Sequence, residues 1–93
     1  MVKYKIFETR GFSTDLTDIT KSTMPVIQKK LENYIYPELR NNPYFGPNIR
    51  RLQNWDPPTW RYRIGDWRFF YQISEKEKIV YMTVIYHRSK AYR

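Results

Sequence analysis

The stretch Trp60-Arg61-Tyr62-Arg63-Ile64-Gly65-Asp66-Trp67-Arg68-Phe69-Phe70-Tyr71 leaves a chain little choice of local structure. It reads as two strands joined by a two-residue turn at Gly65-Asp66. Strand residues point alternately to opposite faces. A two-residue loop pairs Ile64 with Trp67 and Arg63 with Arg68, and paired residues lie on the same side of a sheet. Trp60, Tyr62, Ile64, Trp67, Phe69 and Tyr71 therefore form one apolar face. Arg61, Arg63 and Arg68 share the opposite face with Phe70 and Gln72. Like charges set directly opposite each other are destabilising, so the arginine face invites an anion between them.

A length of 93 residues allows one domain, spanning 1–93. With no Cys and a single His, neither a disulfide framework nor a zinc site built on cysteines or several histidines is expected. No metal or cofactor is expected. The N-terminal Met-Val-Lys-Tyr-Lys-Ile-Phe has no apolar run of the signal-peptide kind. No stretch approaches the ~20 apolar residues of a membrane span, so the expected location is cytoplasmic, with no membrane partner. The charge is one-sided, with 17 Lys and Arg against 9 Asp and Glu. Up to Pro47 the chain carries 7 basic and 5 acidic residues, and after it 10 and 4. The excess thus concentrates where the arginine strands are. Such a bias, with 18% aromatics, favours nucleic acid over a merely solvated basic surface.

Elsewhere the pattern is simpler. Val2-Lys3-Tyr4-Lys5-Ile6 alternates and predicts a first strand with Val2, Tyr4 and Ile6 inward, ended by Gly11. Phe12, Leu16 and Ile19 have helical spacing, with Ser13 or Thr14 as cap, and predict a short helix. Ser22 or Thr23 caps a second helix with Pro25 in its first turn. Its apolar stripe runs through Met24, Ile27, Leu31, Tyr34 or Ile35, and Leu39. Pro37 should kink or end it, and Asn41-Asn42-Pro43 should stop it. Residues 44–58 read as a connector. The run from Ile79 to Tyr86 reads as a central strand covered on both sides. The expected fold is α+β, ordered β-α-α-β-β-β, a curved, mainly antiparallel sheet. Both helices lie on its apolar face, packing Ile27, Leu31 and Ile35 against the hairpin aromatics, because nothing else can cover that face.

The order of elements, the entry segment Pro47-Asn48-Ile49-Arg50-Arg51-Leu52, the Arg-Tyr-Arg-Ile-Gly-Asp-Trp-Arg hairpin and the ending His87-Arg88-Ser89-Lys90-Ala91-Tyr92-Arg93 resemble the RelE/ParE superfamily of toxins from toxin–antitoxin systems. The similarity spans nearly the whole chain, and the hairpin and the ending are its most specific parts. The RelE-like branch comprises ribosome-dependent endoribonucleases that cut mRNA in the ribosomal A site. The ParE-like branch shares the fold but acts on DNA gyrase. The resemblance implies a cognate antitoxin as partner, in a hetero-oligomer able to bind operator DNA through the antitoxin, and, for a RelE-like member, mRNA and ribosomal RNA as targets. It carries catalytic roles to Arg61, Arg63, Arg68, His87 and Tyr92. It departs from the best-studied branch in having arginines where that branch has lysines, and no carboxylate matches the glutamate base of another branch.

RNA cleavage without a metal needs a base for the 2′-OH, an acid for the leaving 5′ oxygen, and cations for the charged phosphorane. Arg61, Arg63 and Arg68 suit the third role, since guanidinium groups stay charged and bind phosphate oxygens bidentately. His87 is the side chain whose ordinary pKa lies nearest neutrality, so it is read either as the base or as a strand-ending residue with a local hydrogen bond. Tyr92 moves a proton or stacks on a nucleobase. Arg88 and Lys90 are read as following the RNA backbone, and Phe70 as a stacking residue on the open face. Arg50 and Arg51 either meet RNA or are ordinary solvated charges, and the second reading is preferred for Lys29 and Lys30. A ribosome-dependent mRNA endonuclease is the leading expectation. A ParE-like gyrase poison is the alternative, and a toxin-like module acting only with its antitoxin in repression is a third.

Overall fold

The structure, a computed structural model, describes residues 3–21, 26–88 and 90–91. Its sheet is built from β1 (Lys5–Glu8), β2 (Ile49–Arg51), β3 (Trp60–Ile64), β4 (Trp67–Ser74), β5 (Ile79–His87) and β6 (Lys90–Ala91). The strand order is β1-β5-β4-β3-β2, with β6 paired to the end of β5. Among the described residues the β1–β5 pairing is parallel and the other pairings are antiparallel. The helices are α1 (Arg10–Lys21) and a second helical stretch made of α2 (Val26–Lys30), a π-helical turn (Leu31–Ile35) and α3 (Tyr36–Asn41). The expected α+β order is present, with the short β2 and β6 added at the margins of the sheet. Among the described residues no helix is long and apolar enough to cross a membrane.

The β3–β4 hairpin has the register read from the sequence, Ile64 opposite Trp67, Arg63 opposite Arg68, and so on to Trp60 opposite Tyr71. Gly65 alone in the turn takes a positive φ, +58°, as the first residue of a type II′ loop must. The apolar face is covered as expected. Tyr62, Phe69 and Tyr71 are buried with Ile27, Leu31 and Ile35, and Trp60, Ile64 and Trp67 pack half-buried at the margin of the same core. Phe12 of α1 meets Phe69, ring centroids 6.3 Å apart.

Tyrosines bind this core to the polar ends of the helices. A buried tyrosine gains by burying its ring while its O–H finds an acceptor. Tyr71 donates to the Pro43 carbonyl (2.8 Å), Tyr62 to Glu38 (2.7 Å) and Tyr36 to Glu8 (2.6 Å). Burial first, and then the carboxylate each one faces, pushes the phenols of Tyr62 and Tyr36 upward, so both stay neutral donors.

Four local readings change, each for a physical reason. The first strand is displaced to Lys5–Glu8 while Tyr4 and Ile6 still pack on the core; Val2 lies outside the described residues. The first helix starts at Arg10, so Gly11 falls inside it. Its cap is Thr9, whose Oγ1 accepts from the Phe12 N–H (3.4 Å) and donates to the Met82 carbonyl (2.9 Å). One hydroxyl thus caps the helix and fastens it to β5, which Ser13 or Thr14 would not do. Pro37 does not end the second helix. The preceding turn widens, the Tyr36 N–H reaching the Leu31 carbonyl, and Pro37 falls in the first turn of α3, where no N–H is needed. The proposed caps Ser22 and Thr23, with Met24 and Pro25, lie outside the described residues. The helix does stop at Asn42, whose Oδ1 accepts from the N–H groups of Tyr44 and Phe45. Finally, β5 is a central strand flanked by β1 and β4, but helices cover only one of its faces. Val80, Met82 and Ile85 are buried, whereas Tyr81, Thr83, Val84 and Tyr86 are half-buried.

The core predicts its own sensitivities. Phe69→Ala should cost about 3–5 kcal/mol, the range for emptying a fully buried aromatic site. Tyr71→Phe should cost about 1–3 kcal/mol by leaving the Pro43 carbonyl unpaired. Urea denaturation monitored by circular dichroism measures both, and equal midpoints for Tyr71→Phe and wild type would show that hydrogen bond to be dispensable.

Candidate functional site

Three adjacent strands carry arginine to one face of the sheet. Arg50 of β2 lies opposite Arg61 of β3, Arg61 lies opposite Phe70 of β4, and Arg63 lies opposite Arg68. Arg61 is central. It is half-buried, and its Nε is shut off from solvent without a hydrogen-bond partner among the described residues. Burial, then the charges of Arg50, Arg68 and Arg63, hold its pKa below the usual guanidinium value. A guanidinium remains protonated all the same, so the site carries unrelieved positive charge. Among the described residues no carboxylate comes within ion-pairing distance of these four arginines.

The backbone shapes a cleft beside them. The Arg63 N–H donates to the Asn48 carbonyl (2.9 Å), which holds the segment before β2 against β3. The cleft encloses about 360 Å³ and is lined by Pro47, Asn48, Arg50, Arg61, Arg63, Ile64 and Gly65. Donors of fixed charge around a concave surface match the oxygens of a phosphate.

The remaining sequence-derived candidates divide. Phe70 is on the arginine face, its ring 5.6 Å from that of Trp55. Arg51 points to the opposite face, over the Trp60 ring at 5.5 Å, because it alternates with Arg50. Arg88 is exposed beside the hairpin turn; its N–H donates to the Asp66 carbonyl (3.0 Å) and its guanidinium lies 3.8 Å from the Asp66 carboxylate. Lys90 pairs through its backbone with His87. Tyr92 lies outside the described residues.

His87 does not join the arginines. It pairs with Trp67, on the helix-covered side, with ring centroids 4.6 Å apart. The cause is a bulge. Phe70 pairs with Val84 but Tyr71 pairs with Met82, so Thr83 is an extra residue in β5, its hydroxyl donating to the Phe70 carbonyl (3.2 Å). An extra residue exchanges the two faces of everything after it. Regular alternation from Val80 and Met82 would put His87 among the arginines; the bulge puts Tyr86 there instead, opposite Arg68. Tyr86 and Trp55 are the residues sequence reasoning missed. Nothing local marks the bulge, and Trp55 belongs to a loop without periodicity.

If Arg63 and Arg68 repel across the hairpin, Arg63→Gln should raise stability by roughly 0.2–1 kcal/mol at low ionic strength, with the gain shrinking in salt. Thermal melts at two salt concentrations check this; destabilisation at low salt would mean Arg63 has a structural partner.

Comparison with known proteins comes to bear on this geometry. The model of the family described as the ParE toxin of type II toxin–antitoxin system, parDE, matches residues 6–92. Among solved structures, the toxin–antitoxin complex RelBE2 from Mycobacterium tuberculosis has a matching chain with TM-score 0.75 and 22% identity, over 94% of this chain and 100% of that one. A chain of the archaeal RelE–RelB complex from Pyrococcus horikoshii OT3 matches with TM-score 0.69 and 19% identity, over 97% and 100%. At these identities the structural likeness speaks for the fold. The search of curated proteins finds no match.

Proposed function

The chain belongs to the ParE toxin family of type II toxin–antitoxin systems, within the RelE/ParE superfamily, and on that premise we propose that it inhibits translation by cutting mRNA in the ribosomal A site. The observation that carries this reading is the row of four arginines on β2, β3 and β4 that meet no carboxylate among the described residues, three of them lining one cleft. In the proposed reaction the 2′ oxygen attacks the adjacent phosphorus and the bond to the 5′ oxygen breaks. The products are a 2′,3′-cyclic phosphate and a 5′-hydroxyl. Arg61, Arg63 and Arg68 hold the phosphate and offset the charge that grows on its oxygens. The proton leaving the 2′-OH and the proton reaching the 5′ oxygen pass through tyrosine hydroxyls. Tyr86, opposite Arg68 on the arginine face, is one candidate; Tyr92, indicated by the family resemblance, is the other. His87 lies on the opposite face of the sheet and takes no part in the proposed proton transfers. Arg88 and Arg50 extend the cationic track along the RNA.

A cognate antitoxin follows from the same premise, and both structural relatives are toxin–antitoxin complexes. An acidic antitoxin segment laid over the arginine face would neutralise and occlude it together.

A second reading is inhibition of DNA gyrase. The matching family model is that of ParE toxins, and no histidine shares the arginine face to serve as base.

Inducing the chain without an antitoxin and mapping translated mRNA by primer extension separates the two. The proposal expects new 5′ ends in mRNA and intact chromosomal DNA. It also expects Arg68→Ala, folded as wild type by circular dichroism, to cut programmed ribosomes about 10²–10³-fold more slowly in single turnover. DNA breaks with uncut mRNA would establish the gyrase reading instead.

A further inference from the structure

Of the three tryptophans, Trp60 and Trp67 are half-buried against the core. Trp55 is 48% exposed and packs over the open face, its ring at 74° to that of Phe70. An edge-to-face contact occupies at most one face of each ring, so this pair has aromatic surface left for a third ring. Phe70 lies directly opposite Arg61 and one same-face step from Arg68. Those separations are about 5 Å across the ladder and about 7 Å along the strand, the reach from a phosphate to a neighbouring base. A cavity of about 460 Å³ opens beside Trp55, lined also by Arg51, Leu52, Gln53 and Asn54. Asn54 takes a left-handed φ of 64° at this loop, a conformation asparagine tolerates. The amides of Gln53 and Asn54 offer both donors and acceptors for a base edge.

We propose that Trp55 and Phe70 form a nucleobase subsite, taking one unpaired base of a single RNA strand whose phosphate lies among Arg50, Arg61 and Arg63. The occupant is single-stranded because stacking requires a base face that a duplex hides. Its backbone is anionic because the adjoining surface holds four cations and no paired carboxylate among the described residues. The subsite rests on the RNA-directed reading above and adds to it a recognition element outside the cleavage chemistry.

The test uses the purified chain and a labelled single strand of about six nucleotides, 2′-O-methylated to prevent cleavage. Binding is followed by fluorescence anisotropy, for the intact strand and for strands abasic at each position in turn. Wild type should lose about 5- to 150-fold in affinity at one abasic position. Trp55→Ala should lose a similar factor on the intact strand and nothing further at that position. Trp55→Phe should keep most of the affinity, which separates stacking from loop disruption. A loss below about fivefold for Trp55→Ala, or an abasic penalty that survives in it, overturns the subsite. So does unchanged RNA affinity with weakened antitoxin binding, which would make the occupant a peptide. Arg61→Ala binding the intact strand as tightly as wild type would instead overturn the RNA-directed reading itself, whatever Trp55 does.

Discussion

The two-residue turn at Gly65-Asp66 is the constraint on which the rest of the structure depends. By fixing Arg63 opposite Arg68, it separates two incompatible kinds of side chain across one sheet. Aromatic rings go to the helix side, where their burial drives folding. Guanidinium groups go to the open side, where they can only repel one another. A one-residue slip of β4 against β3 would turn Arg68 under the helices and expose Phe69 and Tyr71, so the hydrophobic core enforces the register that assembles the charge. Burial of the aromatic face and repulsion on the arginine face are thus opposed at one hairpin, and the core supplies the energy that keeps like charges together.

The helices contribute mainly by holding that platform still. Thr9 caps α1 and ties it to β5, and Tyr36, Tyr62 and Tyr71 anchor the second helix and its exit to the sheet. Apart from the local cap at Phe12, these bonds join residues far apart in sequence, so they form only as the chain folds. The arginines stand on strands rather than loops, and Arg61 is partly buried. If such a surface takes a phosphate, it would lose less ordering entropy than flexible surface lysines that had to be gathered.

What could be read from the sequence follows from how local its cause is. The hairpin, its two faces and the Asn42 stop were legible because turn chemistry and alternation act over a few residues. The three arginines of the hairpin are legible for the same reason, whereas Arg50 stands in a segment whose sequence has the pattern of a connector and becomes part of the row only through the pairing of β2 with β3. The side of the sheet taken by His87 was not legible. It depends on the extra residue Thr83, which exists only through the pairing of β4 with β5. The π-helical turn before Pro37 was hidden likewise, since proline reads as a stop unless the preceding turn widens. Trp55 carried no signal because only the folded loop lays it on Phe70.

The central claim is that Arg50, Arg61, Arg63 and Arg68 act as one phosphate-binding surface. Its most direct measurement is the salt dependence of single-stranded RNA binding for wild type and for each single arginine-to-glutamine variant. A contact to a phosphate of a single strand contributes about 0.7 to the slope of log affinity against log salt concentration. The account predicts that removing each arginine lowers the slope by about that amount. Slopes equal to wild type in all four variants would contradict it and leave the arginine row without a role in binding phosphate.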